Sequence, residues 1–162
     1  MNVRRLEPPD DVARAGGLLR QAYTELEGYP DDPEYDDIVA DVAARAGQAD
    51  VVVAVDDIGT IVGCLTFVPD RDCPDAEFDD VDAVGFRYFG VDPAMQGRGV
   101  GEAMVSWVLD EARRLGRRRV RIHTLDAMRG AQRLYRRMGF VRDPTEDQTF
   151  DGIVLLAFVL HL

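Results

Sequence analysis

Three glycines alternate with other residues in Gln96-Gly97-Arg98-Gly99-Val100-Gly101, directly before a stretch with helical periodicity. Glycine lets a backbone approach a ligand closely, and the N–H groups of a helix's first turn, at the positive end of its dipole, attract a phosphate. This spacing predicts a pyrophosphate seat, with Arg98 adding a cation. The plainer reading is a glycine-rich connection with no ligand. A P-loop is excluded because no Gly-Lys-Ser/Thr follows. A dinucleotide-binding loop expects its third glycine where Glu102 stands, which makes a dinucleotide-dependent oxidoreductase the weaker alternative.

The bulk composition sets the frame for such a site. A chain of 162 residues suits a single domain spanning 1–162. No apolar run approaches the roughly 18 residues that cross a bilayer. Met1-Asn2-Val3-Arg4-Arg5 leads straight to Glu7, Asp10 and Asp11 without the apolar stretch of a signal peptide. Cys64 and Cys73 are the two cysteines, and Cys64 lies in an apolar run where a buried reduced thiol is expected. A cytoplasmic protein without a membrane partner is the expectation. The net charge of -11 is unevenly spread: residues 1 to 97 carry 7 arginines against 22 acids, and residues 98 to 142 carry 12 arginines against 4 acids. An acidic chain with its cations gathered in one stretch reads as one with a local anion site rather than as a nucleic-acid binder.

The elements that would position the loop follow from periodicity. Asn2 to Leu6 reads as a strand, and helices follow over about 11–27, capped by Asp10 or Asp11, and about 34–46. Val51–Val55 and Ile61–Val68 read as an antiparallel hairpin around Asp56-Asp57-Ile58-Gly59. Residues 69–82 form an acidic loop. Ala83–Val91 is a strand, 99–115 an amphipathic helix stopped by Gly116, Val120–Leu125 a strand, 129–138 a helix closed by Gly139, and 152–160 a last strand, with a short one about Phe140–Arg142. A strand, a packed helix and a further strand require a right-handed crossover and a parallel pair. The expected fold is α/β, a mixed and mostly antiparallel sheet of six to seven strands with helices on both faces.

Two motifs then carry a resemblance. Val91-Asp92-Pro93 followed by Gln96 to Gly101 resembles the acetyl-CoA motif Gln/Arg-x-x-Gly-x-Gly/Ala of the GNAT superfamily of N-acetyltransferases. Ala131-Gln132-Arg133-Leu134-Tyr135-Arg136-Arg137-Met138-Gly139-Phe140 resembles that family's Ala-x-x-Leu-Tyr-x-x-x-Gly-Phe helix. The two stand in the family's order, and the element order matches it over nearly the whole chain, loosely before residue 50. The resemblance implies acetyl-CoA as co-substrate, direct attack of an amine of a small molecule or peptide on the thioester, and a homodimer in many members. It implies that main-chain groups of Phe89, Gly90 and Val91 hold the pantetheine arm, with the Val91 N–H on the thioester oxygen. Gln96, Gly97, Arg98, Gly99, Val100 and Gly101 would take the pyrophosphate.

Tyr135 matches the tyrosine that protonates the departing thiolate in many members. A phenol near pKa 10 giving its proton to a thiolate whose acid is near 8.5 is uphill by about 2 kcal/mol, a cost that the charges of Arg136 and Arg137 would lower. The alternative is a packing tyrosine beside Leu134. Two positions depart from the family: Met128 replaces a common Asn, and Gly85 stands where members with a carboxylate base carry Glu. No base is identified; Glu77, Asp79, Asp80 and Asp82 in the preceding loop could act through water, and a solvated charge run is the plainer account of each. His123 reads as structural rather than metal-binding. The acidic segments 27–37 and 69–82 would attract a cationic amine. The departures leave a non-catalytic acyl-CoA-binding or sensing domain as the alternative.

Overall fold

Two runs rich in β-branched residues, Asp50–Val55 (β2) and Ile61–Val68 (β3), form an antiparallel pair in which Val53 faces Cys64. The turn between them is tied by the Asp56 carboxylate, which accepts from the N–H groups of Ile58 and Thr60 at 3.1 and 2.8 Å. A computed structural model describes residues 1–162 in eight strands and five α-helices. These fall into two compact units, Met1–Phe67 with Tyr88–Trp107, and Val68–Arg87 with Val108–Leu162. Strand β4 (Ala83–Val91) and helix α4 (Val100–Arg114) give residues to both.

In the first unit the strand order is β1 (Asn2–Arg5), β2, β3, then the end of β4, with β1 and β2 antiparallel. Every residue of β3 is buried, so both of its faces are covered. Gly63 explains how α4 gets close: a Cβ there would stand 2.5 Å from the Met104 sulfur and 3.2 Å from Val100. Phe67, on the same face two pairs along, meets the Trp107 ring edge-on at 5.6 Å. Helix α1 (Val12–Thr24), capped by Asp11 on the Arg14 N–H at 2.9 Å, brings Leu18, Leu19 and Ala22 over Gly90. The single helix expected over 34–46 is two, α2 (Pro33–Ala40) and α3 (Val42–Ala46). Asp41 leaves the helical region at ψ 65° and its carboxylate caps the Ala44 N–H at 3.0 Å, so a side chain that competes for backbone donors ends one helix and starts the next.

In the second unit the start of β4 pairs parallel with β5 (Arg119–Leu125), as the crossover requires. The remaining pairings are antiparallel: β5 with β8 (Ile153–His161), and β8 with β6 (Val141–Arg142) and β7 (Gln148–Phe150). The fold class is the expected one with a strand more, because Gln148-Thr149-Phe150 adds three exposed residues to β8 that carry no alternating pattern. Helix α5 (Arg129–Arg137) ends before Gly139, whose φ of 99° suits glycine. The acidic loop is stitched to β5. The Asp80 carboxylate accepts from Arg119 at 2.5 and 2.7 Å and from Arg121 at 2.7 Å, and the Asp82 carbonyl accepts from the Arg118 and Arg119 N–H groups.

The Asp80 carboxyl is held well below the usual carboxylate range, first by the hydrogen bond from Arg119 and then by that from Arg121. A depressed folded-state value contributes stability above the unfolded value near 3.9, and that contribution is lost as pH falls towards the folded one. Asp80→Asn should therefore lower unfolding free energy by about 2 kcal/mol at pH 7, with the gap closing as the pH is lowered below about 4. Urea unfolding of both proteins at pH 7 and pH 3 measures this, and an equal gap at both pH values contradicts it.

Candidate functional site

The glycine loop lies wholly in the first unit, and its entry is fixed. The Asp92 N–H donates to the Val62 carbonyl at 2.9 Å, and its carboxylate caps the Ala94 N–H at 2.9 Å and pairs with Arg14. The Arg14 Nε in turn donates to the Ile61 carbonyl at 3.2 Å. Gln96 follows, its amide 3.5 Å from the Val91 carbonyl. Gly97 and Gly99 stand at φ 75° and 81°, where a side chain would be strained, although a Cβ at either would meet no atom within 4 Å. Gln96, Gly97, Arg98 and Gly99 are exposed, and Val100 turns inward at the start of α4. The Gly99 carbonyl accepts the helix bond from Ala103, so the N–H groups of Val100 and Gly101 have no carbonyl of their own helix to reach. Main-chain donors at a helix start, next to an exposed loop that carries Arg98, are a donor set that fits a pyrophosphate.

Just upstream, β4 carries a kink absent from the sequence reading. Tyr88 has φ 50°, a left-handed conformation unusual for a residue with a side chain, at a cost of about 1–3 kcal/mol. The backbone is thereby re-aimed one residue before Phe89, Gly90 and Val91. The Arg45 guanidinium lies 4.2 Å from the Tyr88 ring centroid. It is itself held by the carbonyls of Ile38 and of Val39, the latter at 2.6 Å. An aromatic residue in a strand-like run reads as an ordinary β former, so only the backbone angle reveals this position.

The second unit holds the remaining residues singled out by the sequence. Tyr135, on α5, is 4% exposed and packed among Phe86, Phe140 and Phe158 at centroid distances of 5.9, 5.6 and 6.1 Å. Burial pushes its phenol above the ordinary value. Desolvation alone moves it, without the expected lowering by Arg136 and Arg137, and the Arg136 guanidinium lies over the Phe158 ring. Met128 makes no side-chain cap at the start of α5; Gln132 ties the helix by donating to the carbonyls of Leu125 and Asp126 at 3.1 and 3.2 Å. Gly85 is a close-approach position: a Cβ there would stand 2.5 Å from the Arg121 carbonyl and 2.8 Å from the Phe78 ring. No carboxylate fits at that position.

The charge run before β4 divides. Asp79 is 97% exposed, as a solvated face would be, but Asp80 is bound by two arginines and Glu77 is only 18% exposed. Glu77 lies 3.1 Å from the Arg87 Nε and 3.7 Å from the His123 Nδ1, and burial raises its carboxyl above the ordinary value despite the Arg87 guanidinium. No group of three or more His, Cys, Asp or Glu side chains is arranged to hold a metal ion.

The sequence profile of the Acetyltransferase (GNAT) family matches residues 17–140. A GCN5-related N-acetyltransferase from Kribbella flavida is 26% identical, with 99% of this chain and 97% of that one covered at a TM-score of 0.70. A GNAT family acetyltransferase from Staphylococcus aureus is 15% identical at a TM-score of 0.73, covering 99% and 98%. One from Elizabethkingia anophelis with acetyl-CoA bound is 16% identical at 0.67, also covering 99% and 98%. No curated protein sequence matches the chain.

The tight packing at Gly85 is testable by itself. Gly85→Ala should destabilise the protein by about 1–3 kcal/mol, the usual cost of overpacking. An unchanged urea midpoint contradicts the contact with the Arg121 carbonyl.

Proposed function

Because the chain belongs to the GNAT acetyltransferase family, we propose that it transfers the acetyl group of acetyl-CoA directly to an amine of a small molecule or peptide. The observation that carries this is the loop Gln96–Gly101, exposed over Gln96–Gly99, with left-handed Gly97 and Gly99 leading into the main-chain N–H donors at the start of α4. That loop binds the pyrophosphate. Phe89, Gly90 and Val91 bind the pantetheine arm through the backbone re-aimed at Tyr88, and the Val91 N–H donates to the thioester oxygen as negative charge gathers there. The donor is fixed before the reaction, so it stabilises charge without reorganising.

Tyr135 gives its proton to the departing thiolate. Burial keeps the phenol protonated at neutral pH, which an acid requires, while making it a weaker one. The net charge of -11 favours a cationic amine as the acceptor. No helix is long and apolar enough to cross a membrane, and the cytoplasm is the proposed compartment.

The absence of space for a carboxylate at Gly85 favours one alternative, an acyl-CoA sensor that binds without turnover. Tyr135→Phe separates the two. An acetyltransferase should lose about 100-fold in kcat while keeping its affinity for acetyl-CoA. Turnover unchanged in the variant removes Tyr135 from the chemistry, and acetyl-CoA binding without turnover of any primary amine by the native protein supports the sensor.

A further inference from the structure

An aromatic residue at φ 50° persists only where its surroundings over-determine it, so something must hold the left-handed turn at Tyr88. The Tyr88 ring is 8% exposed, and the Arg45 guanidinium lies 4.2 Å from its centroid. A cation over an aromatic face is attracted to it, more strongly as water is excluded. Arg45 stands near the end of α3 and reaches back to α2. One terminal nitrogen donates to the Ile38 carbonyl and the other to the Val39 carbonyl, the latter at 2.6 Å. Both carbonyls belong to the last turn of α2, the negative end of its dipole, where a cation is favoured. The planar fork places its two terminal nitrogens on neighbouring carbonyls while its central carbon stays over the ring, a geometry that lysine does not offer. The Arg45 Nε is buried without a hydrogen-bond partner, so the head group keeps this place although one donor goes unsatisfied.

The next residues of β4 are set by the same group of helices. Gly90 lies against α1, where a Cβ would stand 3.0 Å from Leu19 and 3.1 Å from Ala22. Helix α1 in turn approaches α2 closely, since a Cβ on Gly16 would stand 2.2 Å from the Ala40 carbonyl. Ala40 directly follows Val39, one of the two anchors of Arg45. The helix that presses on Gly90 and the helix that anchors Arg45 therefore pack as one body against Tyr88 to Gly90. Arg45, Tyr88, Phe89 to Val91 and the glycine loop all lie in the first unit. The glycine loop has anchors of its own, Asp92 on the Val62 carbonyl and on Arg14. Arg45 thus bears on the segment before the loop, and the loop is held independently of it.

We propose that Arg45 is a positioning residue for the pantetheine arm. It holds Tyr88 in the left-handed turn and so sets the direction in which the main-chain groups of Phe89, Gly90 and Val91 face the arm. The assignment rests on the acetyltransferase reading above, and Arg45 acts through Tyr88 alone. Without the guanidinium, Tyr88 relaxes towards the extended backbone that a strand favours, and the three residues after it turn away from the arm. The pyrophosphate seat at Gln96 to Gly101 stays as it is, because Asp92 fixes its entry. The effect of losing Arg45 is therefore confined to one half of the cofactor.

Calorimetric titration of the full-length protein with CoA, and with the nucleotide half of CoA that keeps the pyrophosphate and lacks the arm, tests this. Arg45→Met should weaken CoA about tenfold and leave the nucleotide half within about twofold, a split that general loosening of the fold does not produce. The amide and Cα resonances of Tyr88 should move from left-handed to extended values in the same variant. Tyr88→Gly supplies the rescue, because glycine takes the left-handed turn unaided. Adding Arg45→Met to Tyr88→Gly should weaken CoA by less than about twofold further. Should Arg45→Met fail to fold, Arg45→Lys keeps a cation without the paired contacts to Ile38 and Val39, and should show the same split at smaller size. A folded variant that binds CoA as the native protein does, that loses CoA and the nucleotide half equally, or that loses as much CoA affinity in the Tyr88→Gly background, overturns the proposal alone. Native protein that binds neither ligand overturns the acetyltransferase reading with it.

Discussion

A helix cannot satisfy its own first N–H groups, and in this protein the loop that leads into α4, Gln96–Gly99, is exposed. The functional reading depends on that constraint. Several features of the first unit serve to present it: Gly63 admits α4 against β3, Trp107 on Phe67 holds the helix along the strand, and Asp92 ties the loop entry to Val62 while pairing with Arg14. With the entry of the segment fixed, Gly97 and Gly99 take left-handed conformations just before the helix. An anion is the partner such a group of donors accepts best, because direct hydrogen bonds and the helix dipole act on it together.

In the second unit, desolvation matters most. Asp80, Glu77, His123 and Tyr135 are all largely removed from water, yet their fates differ with their partners. Asp80 accepts from two guanidinium groups and stays ionised well below the usual range. Glu77 has one arginine and a histidine, and burial outweighs them, which raises its affinity for a proton. Tyr135 sits among three phenylalanine rings, where burial is the dominant influence, and keeps its proton. A carboxyl held low, a carboxyl pushed up and a phenol pushed up thus follow from the balance of burial and three sets of neighbours.

Much of this was legible in the sequence because it is written in local patterns. The alternating glycines, the helical period from Val100 onwards and the crossover between β4 and β5 all appear where spacing puts them. Asp41 was less legible, since a single competing side chain inside a helical pattern divides it without changing its period. Tyr88 has no sequence signal, since an aromatic residue in a strand-like run gives no hint of a left-handed backbone, and Arg45, which lies over its ring, is 43 positions away. Glu77 was misread with its neighbours because a run of acids looks uniformly solvated. Its burial is set by Arg87, His123 and Gln148, residues between 10 and 71 positions away. Gly85 looked like a missing base and is a point of close packing against the next strand.

Isothermal titration of the purified protein with acetyl-CoA, with CoA and NAD as comparisons, tests the central claim most directly. Micromolar binding of acetyl-CoA and CoA, none of NAD, and a clear loss of affinity in Gly99→Glu is the result the glycine loop predicts. Absence of binding to either CoA species, or binding indifferent to Gly99→Glu, contradicts it and leaves Gln96–Gly101 as a turn between a strand and a helix.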